Sequence, residues 1–206
     1  MENKLVSKEK LVAKMEELIK HLDAPFSVAV IDLDNFASIN NTYSTRIGDE
    51  IIKKIISIFA QNTSDIDLIT RHGDEFIILL VKKGAERSFM EMEEIRRYLS
   101  DNTFTFTAED KKENVYVTFS CGIASCPRDA KNTVELFRVA DSALFRAKKL
   151  GRNKVCLSEA ESMVLKSSYL TKTQVDRLSQ LSKETEKTEA FLIREALDDL
   201  FKKYSK

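Results

Sequence analysis

Residues 26–31, Phe-Ser-Val-Ala-Val-Ile, leave this chain few structural choices. The run is short, apolar and β-branched, the signature of a strand covered on both faces rather than of a half-exposed one. It runs directly into Asp32-Leu33-Asp34, so the strand delivers two carboxylates to its C-terminal end. In open α/β sheets that end is where ligands bind.

The rest of the pattern supplies the covering layers. Leu11, Met15, Leu18, Ile19 and Leu22 recur at helical spacing and predict a helix over 8–21 that stops before Pro25. Gly48-Asp49-Glu50 opens a helix whose Ile51, Ile52, Ile55, Ile56 and Phe59 form a broad apolar face. Strands at 68–71 and 76–81 flank His72-Gly73-Asp74-Glu75, a hairpin whose glycine permits a tight turn and whose tip holds two more carboxylates. A helix over 86–100, strands at 103–107 and 115–120, a helix over 133–150 and a strand at 154–157 follow. The order βαββαβ, with extras, specifies an α+β fold: an antiparallel-containing sheet backed by helices on the ferredoxin-like palm plan.

With 206 residues and 43% hydrophobic content, the chain suits one ordinary domain and a small appendage. The expected division is an N-terminal helix within 1–24, the sheet domain over 25–158, a polar linker at 159–166 and a small helical unit over 163–206. Charges balance at 33 Lys/Arg against 33 Asp/Glu, so no global basic field advertises nucleic acid. From Met163 onward nine Lys/Arg face seven Asp/Glu, which makes the tail only faintly basic. Cys121, Cys126 and Cys156 are odd in number and form no CxxC pair, which reads as reduced, mostly packed thiols. No apolar run approaches a membrane span, and Met1-Glu2-Asn3-Lys4 begins no signal peptide, so the expected location is the cytoplasm, with no membrane partner.

Separate carboxylates gathered at two strand ends suit Mg²⁺ chemistry on a nucleotide, where metal ions neutralise a triphosphate and stabilise the leaving oxygen of an in-line transfer. Taken alone, the acidic hairpin reads as an ordinary solvated turn ahead of a catalytic one, and Lys148 with Arg152 as a solvated helix face. Four strings in order decide between these readings: Asp32-x-Asp34-x-Phe36-x-x-Ile39-Asn40-Asn41, then Gly48-Asp49, then Gly73-Asp74-Glu75-Phe76, then Ala140-Asp141-x-Ala143-Leu144-Phe145-x-Ala147-Lys148-x-x-Gly151-Arg152-Asn153. Together they resemble the GGDEF domain of diguanylate cyclases over roughly residues 26–157.

The resemblance implies a set of roles. Asp32 and Asp74 would ligate Mg²⁺ or Mn²⁺, two ions per site, with the Leu33 backbone carbonyl helping; Asp74 and Glu75 would be the catalytic pair on the hairpin formed with His72 and Gly73. Asn40 and Asp49 match the guanine-binding positions, where a carboxylate can accept from the N1–H and exocyclic amine that adenine does not present together. The backbones of Asp34, Asn35 and Phe36, with Lys148 and Arg152 one helical turn apart on one face, would hold phosphate. The implied reaction condenses two GTP molecules into cyclic di-GMP, each GTP bound by one subunit of a head-to-tail homodimer.

Several positions depart from the family pattern. One residue is missing before Gly73, so His72 stands either at the usual aromatic or at the first glycine position. Ala37 replaces a common lysine, Asn41 an aspartate, and Ser44-Thr45 a Gly-His pair. The N-terminal Leu-Thr and Asn-Arg motif is reduced to Lys4-Leu5-Val6-Ser7. Ser64 stands where an inhibitory product site would need arginine, three residues before Asp67, so feedback through that site is not expected.

Residues 169–181 and 188–197 resemble a ribbon-helix-helix domain. Val175, Leu178 and Leu181 form one apolar stripe, and Ile193, Leu197, Leu200, Phe201 and Tyr204 another, with Thr171 and Thr188 as N-caps. A unit this small cannot bury both stripes alone and should dimerise through a shared ribbon. In that family the ribbon enters the major groove of double-stranded DNA and the second helix grips phosphate. If Leu170 faces the core, alternation sends Leu165, Ser167 and Tyr169 outward and Lys166 inward, so Ser167, Tyr169 and Thr188 are the candidate DNA contacts. The leading expectation is a dimeric cyclic di-GMP-forming nucleotidyltransferase. The alternative is a DNA-binding regulator whose degenerate GGDEF domain senses GTP or cyclic di-GMP.

Overall fold

A computed structural model of the protein describes residues 4–108, 111–158, 170–185 and 189–204. The chain divides into two compact units, residues 1–160 and 161–206. In the first, the elements run α1 (Lys8–Lys20), β1 (Phe26–Leu33), α2 (Phe36–Tyr43), α3 (Thr45–Gln61), β2 (Leu68–His72), β3 (Glu75–Leu80) and α4 (Ala85–Asp101). Then come β4 (Phe104–Ala108), β5 (Lys111–Val115), β6 (Phe119–Cys126), α5 (Thr133–Lys149) and β7 (Val155–Leu157).

Five strands form the central sheet in the order β2-β3-β1-β6-β7, while β4 and β5 make a separate hairpin. Strand β1 is antiparallel to both β3 and β6, β2 is antiparallel to β3, and β6 and β7 run parallel. Its alternating side chains feed two cores, as its composition requires. Ile31 and Leu33 face one layer with Ile51, Ile55 and Phe59 of α3 and Met92 and Ile95 of α4. Val28 and Val30 face the other, with Leu11 and Met15 of α1 and Leu136, Ala140 and Leu144 of α5. Phe59 meets Phe76 and Phe119 edge-on, with ring centroids 5.3 and 5.8 Å away, and truncating such a ring typically costs about 3–5 kcal/mol.

Caps and edges complete the unit. Ser7 accepts from the Lys10 amide at the start of α1, and Asn132 from the Glu135 amide at the start of α5. His21 is the C-cap of α1. The exposed edge of β2 is covered by the N-terminal segment: the Ile69 N–H donates to Lys4 and the Val6 N–H to Ile69, each at 2.8 Å. The Lys4 ammonium then donates to the Ala60 and Thr63 carbonyls at 2.6 and 2.8 Å, closing the C-terminal end of α3.

The structure corrects the sequence reading in three places. Residues 36–43, to which the sequence pattern assigned no element, form α2, and α3 begins at Thr45 rather than at Gly48. The strand expected at 115–120 is the end of β5 and the start of β6, and β6 continues to Cys126 with every residue buried. Its small residues, Ser120, Gly122, Ala124 and Ser125, dilute the apolar signal of what is a central strand under α5. Arg152 lies beyond the end of α5, so it and Lys148 do not share one helix face.

In the second unit, α6 (Lys172–Thr185) and α7 (Glu189–Tyr204) are the described elements. Thr171 and Gln174 cap α6 reciprocally: the Gln174 amide donates to the threonine hydroxyl, and the Thr171 amide to the glutamine carbonyl. Val175, Leu181, Ile193, Leu197 and Leu200 are exposed in the single chain, whereas Leu192 is buried. The linker 159–166, together with Leu165, Lys166, Ser167, Tyr169 and Thr188, lies outside the described residues. Among the described residues, no helix is long and apolar enough to cross a membrane. Cys121 and Cys126 are buried and Cys156 half-buried, all three free, and burial pushes the Cys121 thiol well up.

Candidate functional site

Register brings the two acidic segments together. Asp32 stands opposite Glu75 on β3, and the Leu33 N–H donates to the Asp74 carbonyl at 3.2 Å. The shortened hairpin closes as a regular two-residue turn: His72 pairs with Glu75 in the ladder, and Gly73 and Asp74 alone form the tip. A positive φ of 65° at Gly73 and not at Asp74 is the pattern of a type II′ turn, which favours glycine at the first position. His72 therefore lies in the strand, not at a glycine-like position. Arg71 pins the turn by donating from Nε to the Gly73 carbonyl at 2.6 Å. Asp74 is half-buried and Glu75 exposed.

The carboxylates of the first segment have different environments. Asp32 Oδ2 lies 2.7 Å from the Lys148 ammonium, in the last turn of α5, where the helix C-terminus favours a cation. Asp34 is buried; its Oδ1 accepts from Ser120 Oγ at 2.7 Å, and its Oδ2 from Thr118 Oγ1 and the Asn153 N–H at 2.8 and 3.0 Å. Its own N–H donates to the Thr118 carbonyl at 2.9 Å, so the Asp34 amide is not available to a phosphate as the sequence reading has it. Asn35 is left-handed, with φ 55°, and opens α2. The first-turn amides of a helix, here from Phe36, lack intrahelical partners and suit an anion.

On the other side of the strand end, α2 and α3 bring Asn40 against Gly48. The Asn40 Oδ1 atom lies 1.9 Å from where a Cβ would stand on Gly48, so only glycine admits this approach. That oxygen is buried without a hydrogen-bond partner among the described residues. Asp49, the next residue along α3, is exposed. Arg152 is exposed in a left-handed turn, φ 63°, its N–H donating to Ala147 at 3.1 Å.

Beneath the hairpin lies a cavity of about 710 Å³ bounded by Ser7, Lys8, His72, Glu75, Phe137 and Asp141 among others. Burial and the Glu75 carboxylate hold the Asp141 carboxyl above its ordinary value, while Lys8 works the other way. The sequence reading gave Asp141 no role, although it lies in the fourth string.

The donor chemistry fits a hard divalent cation that shares its coordination with a nucleotide. Among the described residues, no three His, Cys, Asp or Glu side chains converge to form a metal centre. Mg²⁺ is usually held by one or two carboxylates plus substrate phosphates, which is what Asp32 and Asp74 can offer. The Lys148 ammonium already stands as a cation against Asp32.

The pattern of the family "Diguanylate cyclase, GGDEF domain" matches residues 1–154, and that of a ribbon-helix-helix domain residues 166–205. The probable diguanylate cyclase DgcT of Escherichia coli K12 is 33% identical over 138 residues, 66% of this chain and 30% of that protein. The chain thus spans well under half the length of such curated relatives. The active GGEEF domain of a diguanylate cyclase from Vibrio cholerae superposes with a TM-score of 0.67 at 30% identity, covering 75% of this chain and 98% of that one. The GGDEF domain of DgcB from Caulobacter crescentus, solved in complex with c-di-GMP, gives a TM-score of 0.65 at 25% identity, covering 74% and 88%.

Proposed function

Because this chain belongs to the diguanylate cyclase GGDEF-domain family, we propose that its first unit is a nucleotidyltransferase that condenses two GTP molecules into cyclic di-GMP. The observation that carries the reading is the Asp32–Lys148 contact of 2.7 Å beside the Gly73–Asp74 turn. A carboxylate and a cation meet there at the edge of the site, each the right charge for one half of a metal–triphosphate complex.

In this reading Asp32, Asp74 and the Leu33 carbonyl hold two Mg²⁺ or Mn²⁺ ions per site. Bound with the triphosphate, the divalent ions neutralise its charge and polarise the α-phosphoryl group. Lys148 leaves Asp32 for phosphate oxygens, and Arg152 approaches the same triphosphate from the turn beyond α5. Asn40 and Asp49 receive the guanine, which gives the partnerless Asn40 Oδ1 atom a use. Each nucleotide's 3′-hydroxyl attacks the α-phosphorus of the other, so that two phosphodiester bonds form as two bonds to pyrophosphate break, and in each site Asp74 takes the hydroxyl proton, with Glu75 beside it. A second GTP-loaded domain is required, so the active form is a homodimer.

The second unit supplies that dimer. Val175, Ile193 and Leu197 are exposed in the single chain, and a ribbon-helix-helix partner would cover them. Pairing the tails raises the effective concentration of the two catalytic domains. The ribbon-helix-helix match also favours a second reading, that Ser167, Tyr169 and Thr188 contact double-stranded DNA.

Turnover with GTP and Mg²⁺ tests the first reading. Pyrophosphate and a cyclic dinucleotide should form and be lost in Asp74→Ala; no product from the wild-type protein refutes it. Ile193→Glu should give monomers by light scattering and lower the rate at dilute protein, and an unchanged dimer would remove the tail from the account. Binding to DNA should weaken steeply with salt if the tail grips phosphates.

A further inference from the structure

Gly151, Arg152 and Asn153 have φ values of 104°, 63° and 45°, three consecutive left-handed residues of which only the first is glycine. Backbone of this kind persists only when its surroundings hold it, and here the holding groups can be named. The Asn153 N–H donates to Asp34 Oδ2 at 3.0 Å, and the Asp34 carboxylate is further filled by the hydroxyls of Thr118 and Ser120. The Asn153 side chain turns the other way, accepting from Arg96 Nη1 at 2.8 Å and donating to Ser100 Oγ at 3.0 Å. Arg96 is itself held by a forked pair of bonds to Glu93 at 2.7 and 2.8 Å, and each of the two stabilises the other's charge.

We propose that Asp34 and Asn153 are positioning residues, forming a polar brace from α4 to the end of β1 that aims Arg152 at the triphosphate. The brace spans both sides of the site: Asp34 lies two residues from Asp32, and Asn153 is the immediate neighbour of Arg152. The Asp34 carboxylate accepts three protein donors, one on Oδ1 and two on Oδ2. Its role is to lock the β1 end and the turn after α5 into one body. The inference rests on the GTP reading above, and the experiment separates the two.

That experiment is a double-mutant cycle in the full chain, probed with a non-hydrolysable GTP analogue plus Mg²⁺ and, separately, with guanosine. Asn153→Ala should weaken the analogue about tenfold and leave guanosine unchanged; in an Arg152→Ala background the same substitution should change analogue affinity by less than about twofold. Asn153→Asp, which keeps an acceptor for Arg96 and tolerates left-handed backbone, should restore most of the affinity. If Asn153→Ala does not fold, Ser100→Ala takes its place in the cycle with the same expected selectivity for the analogue. Unchanged analogue affinity, equal losses for both probes, or full additivity with Arg152→Ala would overturn the brace alone. A wild-type protein that binds neither probe overturns the GTP reading, and the brace with it.

Discussion

Two lysine–aspartate contacts of nearly equal length serve opposite ends in this molecule. Lys83 Nζ lies 2.6 Å from Asp67 Oδ2, and Lys148 Nζ lies 2.7 Å from Asp32 Oδ2. The first pair is sealed: the Lys83 and Asp67 side chains are 3% and 0% exposed, Glu91 adds a second carboxylate at 2.7 Å, and the Val81 and Ser64 amides donate to Asp67. The second stands open, with Lys148 34% and Asp32 17% exposed. A sealed pair with every oxygen engaged is part of the scaffold. An open pair at a strand end is poised to exchange its partner for a ligand.

Four substitutions press on that difference, from the largest effect to the smallest. Lys83→Met leaves Asp67 buried and uncompensated and should cost about 3–5 kcal/mol of stability in a denaturant titration. Lys148→Met should change stability by no more than about 1 kcal/mol, since exposed pairs contribute little, while lowering turnover about a hundredfold, the scale of losing one charge-stabilising donor. Gly48→Ala forces the Asn40 amide aside and should weaken guanosine about tenfold, read by calorimetry with ATP and GTP analogues as a selectivity check.

The smallest effect concerns Asp141. Its folded-state pKa is raised, so the folded chain holds that proton more tightly than the unfolded one, and stability falls as pH rises from the ordinary carboxyl value through the raised one. Asp141→Asn should therefore raise the melting temperature slightly at pH 7 and leave it unchanged in acid below both values. A destabilised Asp141→Asn at pH 7 would show that the carboxylate is held by a partner instead.

The contrast also explains what could be read in advance. Strand β1 and its carboxylates were legible because an apolar β-branched run can be little else, and the hairpin because glycine and register leave one tight closure. Asp67 was legible as a residue without a matching arginine at Ser64, but its engagement with Lys83 was not, because the two flank the β2–β3 hairpin and meet only when it closes. Helix α2 was hidden by Asn35, whose left-handed backbone starts a helix without a side-chain cap. Strand β6 was obscured by small residues chosen for the close packing of α5. The placement of Arg152 depended on a left-handed turn that helical spacing could not anticipate, since spacing assumes the helix continues.

Pyrophosphate release from GTP by Lys148→Met, measured beside its melting temperature and that of Lys83→Met, tests the account most directly. The open pair predicts a Lys148→Met protein that melts with the wild type and releases pyrophosphate about a hundredfold more slowly. Wild-type release from Lys148→Met, or a loss of melting temperature like that of Lys83→Met, would contradict it.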